Sequence, residues 1–362
     1  MLDIFSKERK YRLWRDLWIS LAKAEKKLGL KISDEQIREM ESARDKLDFA
    51  KVAEWEKRLR HEVMAHIKHF GEVAPKAAGI LHLGATSAFV MDNTDLLQMR
   101  DGLRHVRKLL LNVIGALAKV ARETRSIPQV AYTHFQPAQI TTVGKRVSLW
   151  IQDLVLDHDE LEHVVGGLRF LGSKGAVGTQ ASFVDLFDGD DAKAKRVDEL
   201  IAKDFGFDRC YAATGQTYTR KVDARVLAAL SSVAQSAHKA GTDLRLLQHL
   251  GELSEPFEEE QVGSSAMPYK RNPMRAERMC SLARFAISLL DNFAHTAANQ
   301  WLERTLDDSA NRRLALAEMF LTCDAILNLY LDVAGGLVVH PEVVRANLER
   351  ELPFLASEHL MM

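Results

Sequence analysis

The stretch VDARVLAALSSVAQSAHKAGTDLRLLQHL, Val222 to Leu250, decides the fold. Its apolar residues Val222, Val226, Leu230, Val233, Ala237, Ala240, Leu244 and Leu247 recur in steps of three and four, which puts one stripe on one face of a helix. At 1.5 Å per residue the stretch spans roughly 40 Å, and helices of that length usually belong to bundles. The pattern repeats outward. Arg104 to Val120 carries Val106, Leu109, Val113, Leu117 and Val120. Nearer the start, Leu13, Leu17, Leu21, Ala24 and Leu28 form a stripe that Gly29 closes as a C-cap, and Ser33-Asp34-Glu35-Gln36 reads as a capping box opening the next helix. No proline lies between Pro137 and Pro256, and β-branched alternation is scarce, with Ile140 to Val143 the one short candidate strand. The chain is therefore predicted to be all-α, a long-helix bundle. A break near Pro75 to Gly84 divides an N-terminal helical domain, 1–83, from a central bundle, 84–340. Residues 341–362 start a C-terminal helical domain that reads as truncated at Met362.

Composition narrows the functional classes. The 362 residues carry a net charge of -1, which argues against nucleic acid as a partner but leaves room for a local cationic pocket. Cys210, Cys280 and Cys323 are widely spaced and fit no zinc pattern, so they read as reduced structural thiols. No apolar run is read as a membrane span, and charges near the N-terminus stand where a signal peptide needs an apolar core. A soluble, cytoplasmic protein with no membrane partner is the expectation.

In a proline-poor helical chain the irregular segments are where chemistry concentrates. Gly263 to Pro273 holds two serines, a lysine, an arginine and an asparagine between two prolines, a loop suited to gripping a carboxylate or phosphate. His61-Glu62-Val63-Met64-Ala65-His66 is not a metal helix: the second histidine falls about 140° round from the first. Arg58, Arg60 and His61 are either surface charge or an anion contact. Thr86 and Ser87, after Gly84, serve as a helix N-cap, a carboxylate site or both. Thr133-His134-Phe135-Gln136-Pro137 places a histidine in a proline-broken loop, as a structural group or as a proton donor near neutrality. Thr214 to Arg220 offers amides and hydroxyls able to read a heterocycle. Gly172 to Thr179 is glycine-rich but matches no nucleotide fingerprint. In Arg304 to Arg313 the acidic pair either neutralises the arginines, or Arg304 and Arg313 clamp a phosphate.

The Ser264-Ser265-Ala266-Met267-Pro268-Tyr269-Lys270-Arg271-Asn272 loop, continued to Glu277, resembles the signature of the fumarase/aspartase superfamily. Tyr269 and Arg271, with Asp307-Asp308-Ser309-Ala310-Asn311-Arg312-Arg313, make the resemblance closest to the adenylosuccinate lyases of the animal type. It runs in order from about Trp14 to the last residue. The resemblance implies an all-α homotetramer with active sites shared between subunits, acting on adenylosuccinate (giving AMP) and on SAICAR, releasing fumarate, with no cofactor and no metal. It implies Ser264 as general base, His134 as general acid, and Lys270 stabilising the charge that builds on the substrate carboxylate, with Thr86 and Ser87 at the other carboxylate. Gln216 would meet the base or ribose, Arg278, Arg304, Ser309 and Arg313 the phosphate, and His61 the phosphate or the acid. The same motifs supply Arg60, Thr133, Ser265, Met267 and Asn272 as further substrate contacts.

Departures are an Arg-Tyr pair without a counterpart upstream of Ser6, a final domain without one after Met362, and Glu62 where an aspartate is common. Rival readings are another fumarate-releasing lyase, such as argininosuccinate lyase, or a catalytically silent helical scaffold. Finally, His134 and Ser264 are expected on loops at opposite ends of the long helices, so sites built across subunits would be needed to unite them.

Overall fold

A computed structural model describes residues 1–362. The helices are α1 (Lys7–Lys27), α2 (Asp34–Ala43), α3 (Phe49–Leu59), α4 (Glu62–Val73), α5 (Ser87–Glu123), α6 (Val143–Gly167), α7 (Ala181–Leu186), α8 (Asp191–Asp204), α9 (Lys221–His249), α10 (Met274–Ala298), α11 (Asp308–Gly335), α12 (Pro341–Leu355) and α13 (Ser357–Met361). Strands β1 (Pro128–Thr133) and β2 (Gln136–Thr142) form one antiparallel pair, and the two-residue strands β3 (Leu253–Ser254) and β4 (Val338–Val339) another. Several helices begin where side chains accept the orphan N–H groups of a first turn. Ser6 caps α1, Asp48 caps α3, and Ser33 with Gln36 closes the predicted capping box on α2. Gly29, just beyond α1, takes a φ of 109° that only glycine adopts readily.

The predicted stripes face inward with small phase changes. In α9 every stripe residue from Val226 to Leu247 is buried. From Leu103 onward in α5 the buried apolar residues are Leu103, Val106, Leu110, Val113 and Leu117, with Leu109 and Val120 at the margin. Each fully buried Leu or Val contributes about 1.5–3 kcal/mol, so these stripes hold the bundle together.

Two expectations need correction. The candidate strand at Ile140 to Val143 is the end of a complete hairpin; its first strand went unread because Pro128 and a bulge at Ala131/Tyr132 interrupt the alternation. And α11 contains an 18-residue window of mean hydropathy 1.5, long and apolar enough by composition to cross a membrane, with half of that window buried inside the chain. A few charged residues spaced along α11 mask the run in a linear reading.

The chain packs as two compact units. Unit 1 comprises Met1–Gly102, Gly167–Val222 and His295–Arg312; unit 2 comprises Leu103–Gly166, Asp223–Ala294 and Arg313–Met362. These divisions fall within α5, α6, α9, α10 and α11. Unit 1 is centred on Trp14, Trp18 and Phe70, all essentially without solvent exposure, with the Trp14 and Trp18 rings edge-on at 6.2 Å. In unit 2, α9 is tied to α6 by Ser232 Oγ donating to Asp157 at 2.5 Å and to α11 by Cys323 Sγ at 3.6 Å from Leu230 O, and Leu154, Phe320 and Leu327 on those helices are fully buried.

Candidate active site

In unit 1 the chain turns sharply ahead of α4. Arg60, at the end of α3, is left-handed (φ 54°) and exposed, and His61 takes the N-cap position of α4. His61 Nδ1 accepts the Met64 N–H at 3.2 Å, so in the neutral ring the proton sits on Nε2, which lies 3.4 Å from Ser87 Oγ. His66 points elsewhere, stacked on Tyr11 at 4.0 Å. Ser87 opens the 37-residue α5 and Thr86 precedes it, both half-buried, so the positive end of a long helix dipole meets the His61 edge. Sequence reasoning gave no role to His82. It is left-handed (φ 66°), accepts the Trp18 indole N–H on Nδ1 at 2.9 Å, and burial pushes its pKa down to about 4, which keeps it neutral.

Still in unit 1, the segment Thr214 to Arg220 is stitched to the segment before α11. The Gln216 N–H donates to Glu303 O at 3.0 Å and its side-chain amide donates to Ala176 O at 3.1 Å. Gly215 is required here, since a Cβ would stand 2.3 Å from Glu303 O. Gln216 and Arg304 are thereby brought to one locality. A cavity of about 370 Å³ opens there, lined by Thr214, Thr217, Arg220, Gln300, Trp301 and Arg304.

Behind it lies a buried ionic network that the sequence did not reveal. Arg220 Nε donates to Asp308 at 2.6 Å while its two terminal nitrogens hold Asp92 at 2.9 and 3.2 Å. Arg312 donates to Asp95 at 2.9 Å and to the Tyr218 hydroxyl at 2.5 Å. Arg304 Nη1 stands 3.9 Å from Asp308 Oδ1, and neither atom has a hydrogen-bond partner. Arg304 is thus near an acid already engaged by Arg220. Ser309 is half-buried in the first turn of α11.

In unit 2, His134 and Phe135 are the two corner residues of the β1–β2 hairpin, both left-handed (φ 51° and 58°), and not a proline-broken loop between helices. This is the primed two-residue turn whose twist matches a hairpin. Thr133, His134 and Phe135 are exposed. Arg146 on α6 braces the hairpin, donating to Val130 O at 2.7 Å with its guanidinium 5.9 Å from the Tyr132 ring.

The serine loop, also in unit 2, is closed on itself. The Asn272 amide donates to Gly263 O at 2.8 Å, and a Cβ on Gly263 would stand 2.1 Å from Lys270 O. Asn272 therefore braces the loop. Ser264 Oγ accepts two backbone N–H groups, from Ala266 at 3.3 Å and Met267 at 3.2 Å. Ser265, Met267 and Lys270 are exposed. Arg278 is exposed early in α10, and Arg313 is exposed in α11.

The expectation that His134 and Ser264 lie at opposite ends of the helices is corrected. Gln129 in β1 donates to Glu252, three residues past α9, and Gln248 in the last turn of α9 donates to Arg271 O at 3.0 Å. The root of the hairpin and the serine loop both lie at the C-terminal end of α9.

A family model described as lyase matches residues 2–287. The fold agrees with solved lyase-fold structures: a fumarate lyase from Mesorhizobium sp. BNC1 (TM-score 0.87, 23% identity, 99% of this chain and 80% of that one) and a 3-carboxy-cis,cis-muconate lactonizing enzyme from Pseudomonas putida (0.88, 26%, 99% and 79%). In class, the protein is a member of this lyase family. Adenylosuccinate lyases from Schistosoma mansoni and Saccharomyces cerevisiae are 52% and 51% identical to it, over 100% of this chain and 76% of each relative. One from Pyrococcus abyssi is 33% identical over 100% of this chain and 79% of the relative. Within the class, the chain belongs to the adenylosuccinate lyase family.

Proposed function

We propose that this chain is a carbon–nitrogen lyase that splits adenylosuccinate into AMP and fumarate, and SAICAR into AICAR and fumarate. The observation that carries the reading is the identity of about half its residues to adenylosuccinate lyases along its whole length. The site chemistry supports it. Ser264, as alkoxide, takes the proton from the carbon beside a carboxylate. The electron pair moves into that carboxylate, then forms the fumarate double bond as the C–N bond breaks, and His134 protonates the departing nitrogen.

A serine is a poor base unless its anion is held. Two N–H groups already point at Ser264 Oγ, and hydrogen bonds to the charged form favour it. Lys270, exposed in that loop, supplies charge for the doubly negative carboxylate. Thr86, Ser87 and His61 form an anion site at a helix N-terminus, for the second carboxylate or the phosphate. Gln216, Arg304 and Ser309, with Arg278 and Arg313, are assigned to the nucleotide and its phosphate, and Arg60, Thr133, Ser265 and Met267 to further substrate contact. Asn272 acts by bracing the loop.

Assembly into a homotetramer with shared sites is part of the proposal, as is a cytoplasmic location. In its favour, His134 and Lys270 project unpartnered into solvent, and α11 has no distinct polar face while only half of its most apolar window is covered by its own chain. Leu111, Leu149, Leu156 and Leu314 are exposed on the long helices. Fumarate release from adenylosuccinate, followed by absorbance beside argininosuccinate as control substrate, tests the reading; release from the control alone would overturn it.

A further inference from the structure

Four of the five tryptophans are packed away. Trp14, Trp18 and Trp150 are buried, and Trp55 is half-buried with its indole N–H on Glu72 at 2.9 Å. Trp301, in the segment before α11, is 71% exposed and lines the cavity of about 370 Å³ in unit 1. An indole left in water forgoes most of the burial that makes tryptophan favourable in a folded chain. Its place beside a cavity is therefore informative.

The backbone holds it there. The Arg304 N–H donates to Trp301 O at 3.1 Å, closing a four-residue turn in which Leu302 is left-handed at φ 45°. A leucine in that region is strained and persists only where its surroundings fix it. Glu303, in the same turn, supplies the fixing: its carbonyl accepts the Gln216 N–H at 3.0 Å, and Gly215 lies so close that a Cβ would overlap it. Gly178 in turn lets the glycine-rich loop come against Thr214 O, where a Cβ has no room. That loop, which matches no nucleotide fingerprint, is a buttress for the cavity wall. Tyr218 and Arg220 in the same lining are fully buried, so the cavity is built on fixed groups.

The Cα atoms at the two ends of such a turn lie within about 7 Å of each other, so one ligand can meet both Trp301 and Arg304. The cavity falls in the range of small-molecule sites, about 300–1,000 Å³. A flat aromatic face, a guanidinium and the Gln216 amide in one locality suit a ligand with a planar ring at one end and an anion at the other. We propose that Trp301 is a substrate-binding residue whose indole stacks on the heterocyclic base of the nucleotide, the purine of adenylosuccinate and the imidazole of SAICAR. The proposal rests on the assignment of Gln216 and Arg304 to the nucleotide. Trp301 reads the ring and Arg304 the phosphate, so the two contacts are separable by ligand.

The test titrates AMP, and ribose 5-phosphate as a ligand without the base, into the parent, Trp301→Ala and Trp301→Phe by calorimetry, with indole emission followed in parallel. Trp301→Ala should weaken AMP binding about five- to a hundredfold, the worth of one base stacked on an aromatic ring, and leave ribose 5-phosphate binding as in the parent. Trp301→Phe keeps an aromatic face and should keep most of the AMP affinity. AMP should quench the emission of the parent, ribose 5-phosphate should not, and the quench should vanish in Trp301→Phe because the other four indoles are packed away. Parent-like AMP affinity in Trp301→Ala overturns the proposal. An equal loss for both ligands also overturns it, since the exposed indole would then serve folding or assembly. So does a parent without a quench, or a quench that survives in Trp301→Phe. A parent that binds no AMP at all refutes the nucleotide reading itself, a different failure from a Trp301→Ala protein that binds AMP like its parent.

Discussion

Replacing Arg220 with Leu removes the one cation that two buried carboxylates share. The guanidinium is 1% exposed and makes three hydrogen bonds, two to Asp92 and one to Asp308, which are themselves 1% and 2% exposed. On the surface such pairs are worth about 0–1 kcal/mol. Buried, breaking a pair by removing one partner costs about 3–5 kcal/mol, because the other charge stays in a poor solvent. Here two acids are orphaned: Asp92 keeps the Tyr218 N–H at 3.2 Å, and Asp308 keeps Arg304 at 3.9 Å. The upper part of that range is expected. Urea unfolding at neutral pH, read as the shift in midpoint times the slope, measures it. The triple change Arg220→Leu, Asp92→Asn, Asp308→Asn should recover much of the loss by removing all three charges together. A loss below about 1 kcal/mol for Arg220→Leu would refute the reasoning, since it would mean that the network is solvated.

Arg304→Leu and Arg313→Leu should each weaken AMP binding about ten- to a hundredfold, the worth of a charged hydrogen bond to phosphate; calorimetric titration with unchanged affinity in both would remove them from the site. Glu25 is buried in α1 with both carboxylate oxygens unpartnered, and burial raises its pKa to about 8. The folded state thus holds a proton that the unfolded state gives up above its ordinary pKa near 4.5, so this stability is full below 4.5 and lost as pH rises toward 8. Glu25→Gln should flatten the fall in urea midpoint between pH 5 and pH 8; an unchanged slope would contradict the assignment. If subunits share sites, inactive His134→Gln and Ser264→Ala proteins unfolded and reassembled together should regain activity at about a quarter of sites. No recovery in demonstrated mixed oligomers would place both residues in one chain.

The helices could be read from sequence because burial of one face leaves a 3.6-residue record, as in Val226 to Leu247, and because caps such as Ser33 and Gln36 are local. The hairpin could not. Its turn is His134-Phe135 where Asn-Gly is usual, and left-handed backbone at such residues is imposed by the strands they join. α11 hid its character because it has no polar face to mark an outside. Among the candidate site segments, the serine loop stood out by composition, while Thr214 to Arg220 offered only amides and hydroxyls. The groups that hold the site segments in place did not stand out: Asp92, Arg220, Asp308 and Glu252 look in sequence like surface charges, and only the packing shows them buried. The placement of the hairpin root and the serine loop at one end of α9 follows from two glutamine side chains, Gln129 and Gln248, whose partners are distant in sequence or lie across a loop.

The central claim is that Ser264, held by the Ala266 and Met267 N–H groups, is the base that releases fumarate from adenylosuccinate. Single-turnover fumarate release by the parent and by Ser264→Ala, with AMP affinity of each measured alongside, tests it most directly. The account predicts release by the parent, collapse of turnover in the variant, and near-equal AMP affinity, because the lost hydroxyl acts on the transition state and the loop leaves the core intact. Near-normal turnover in Ser264→Ala would contradict it.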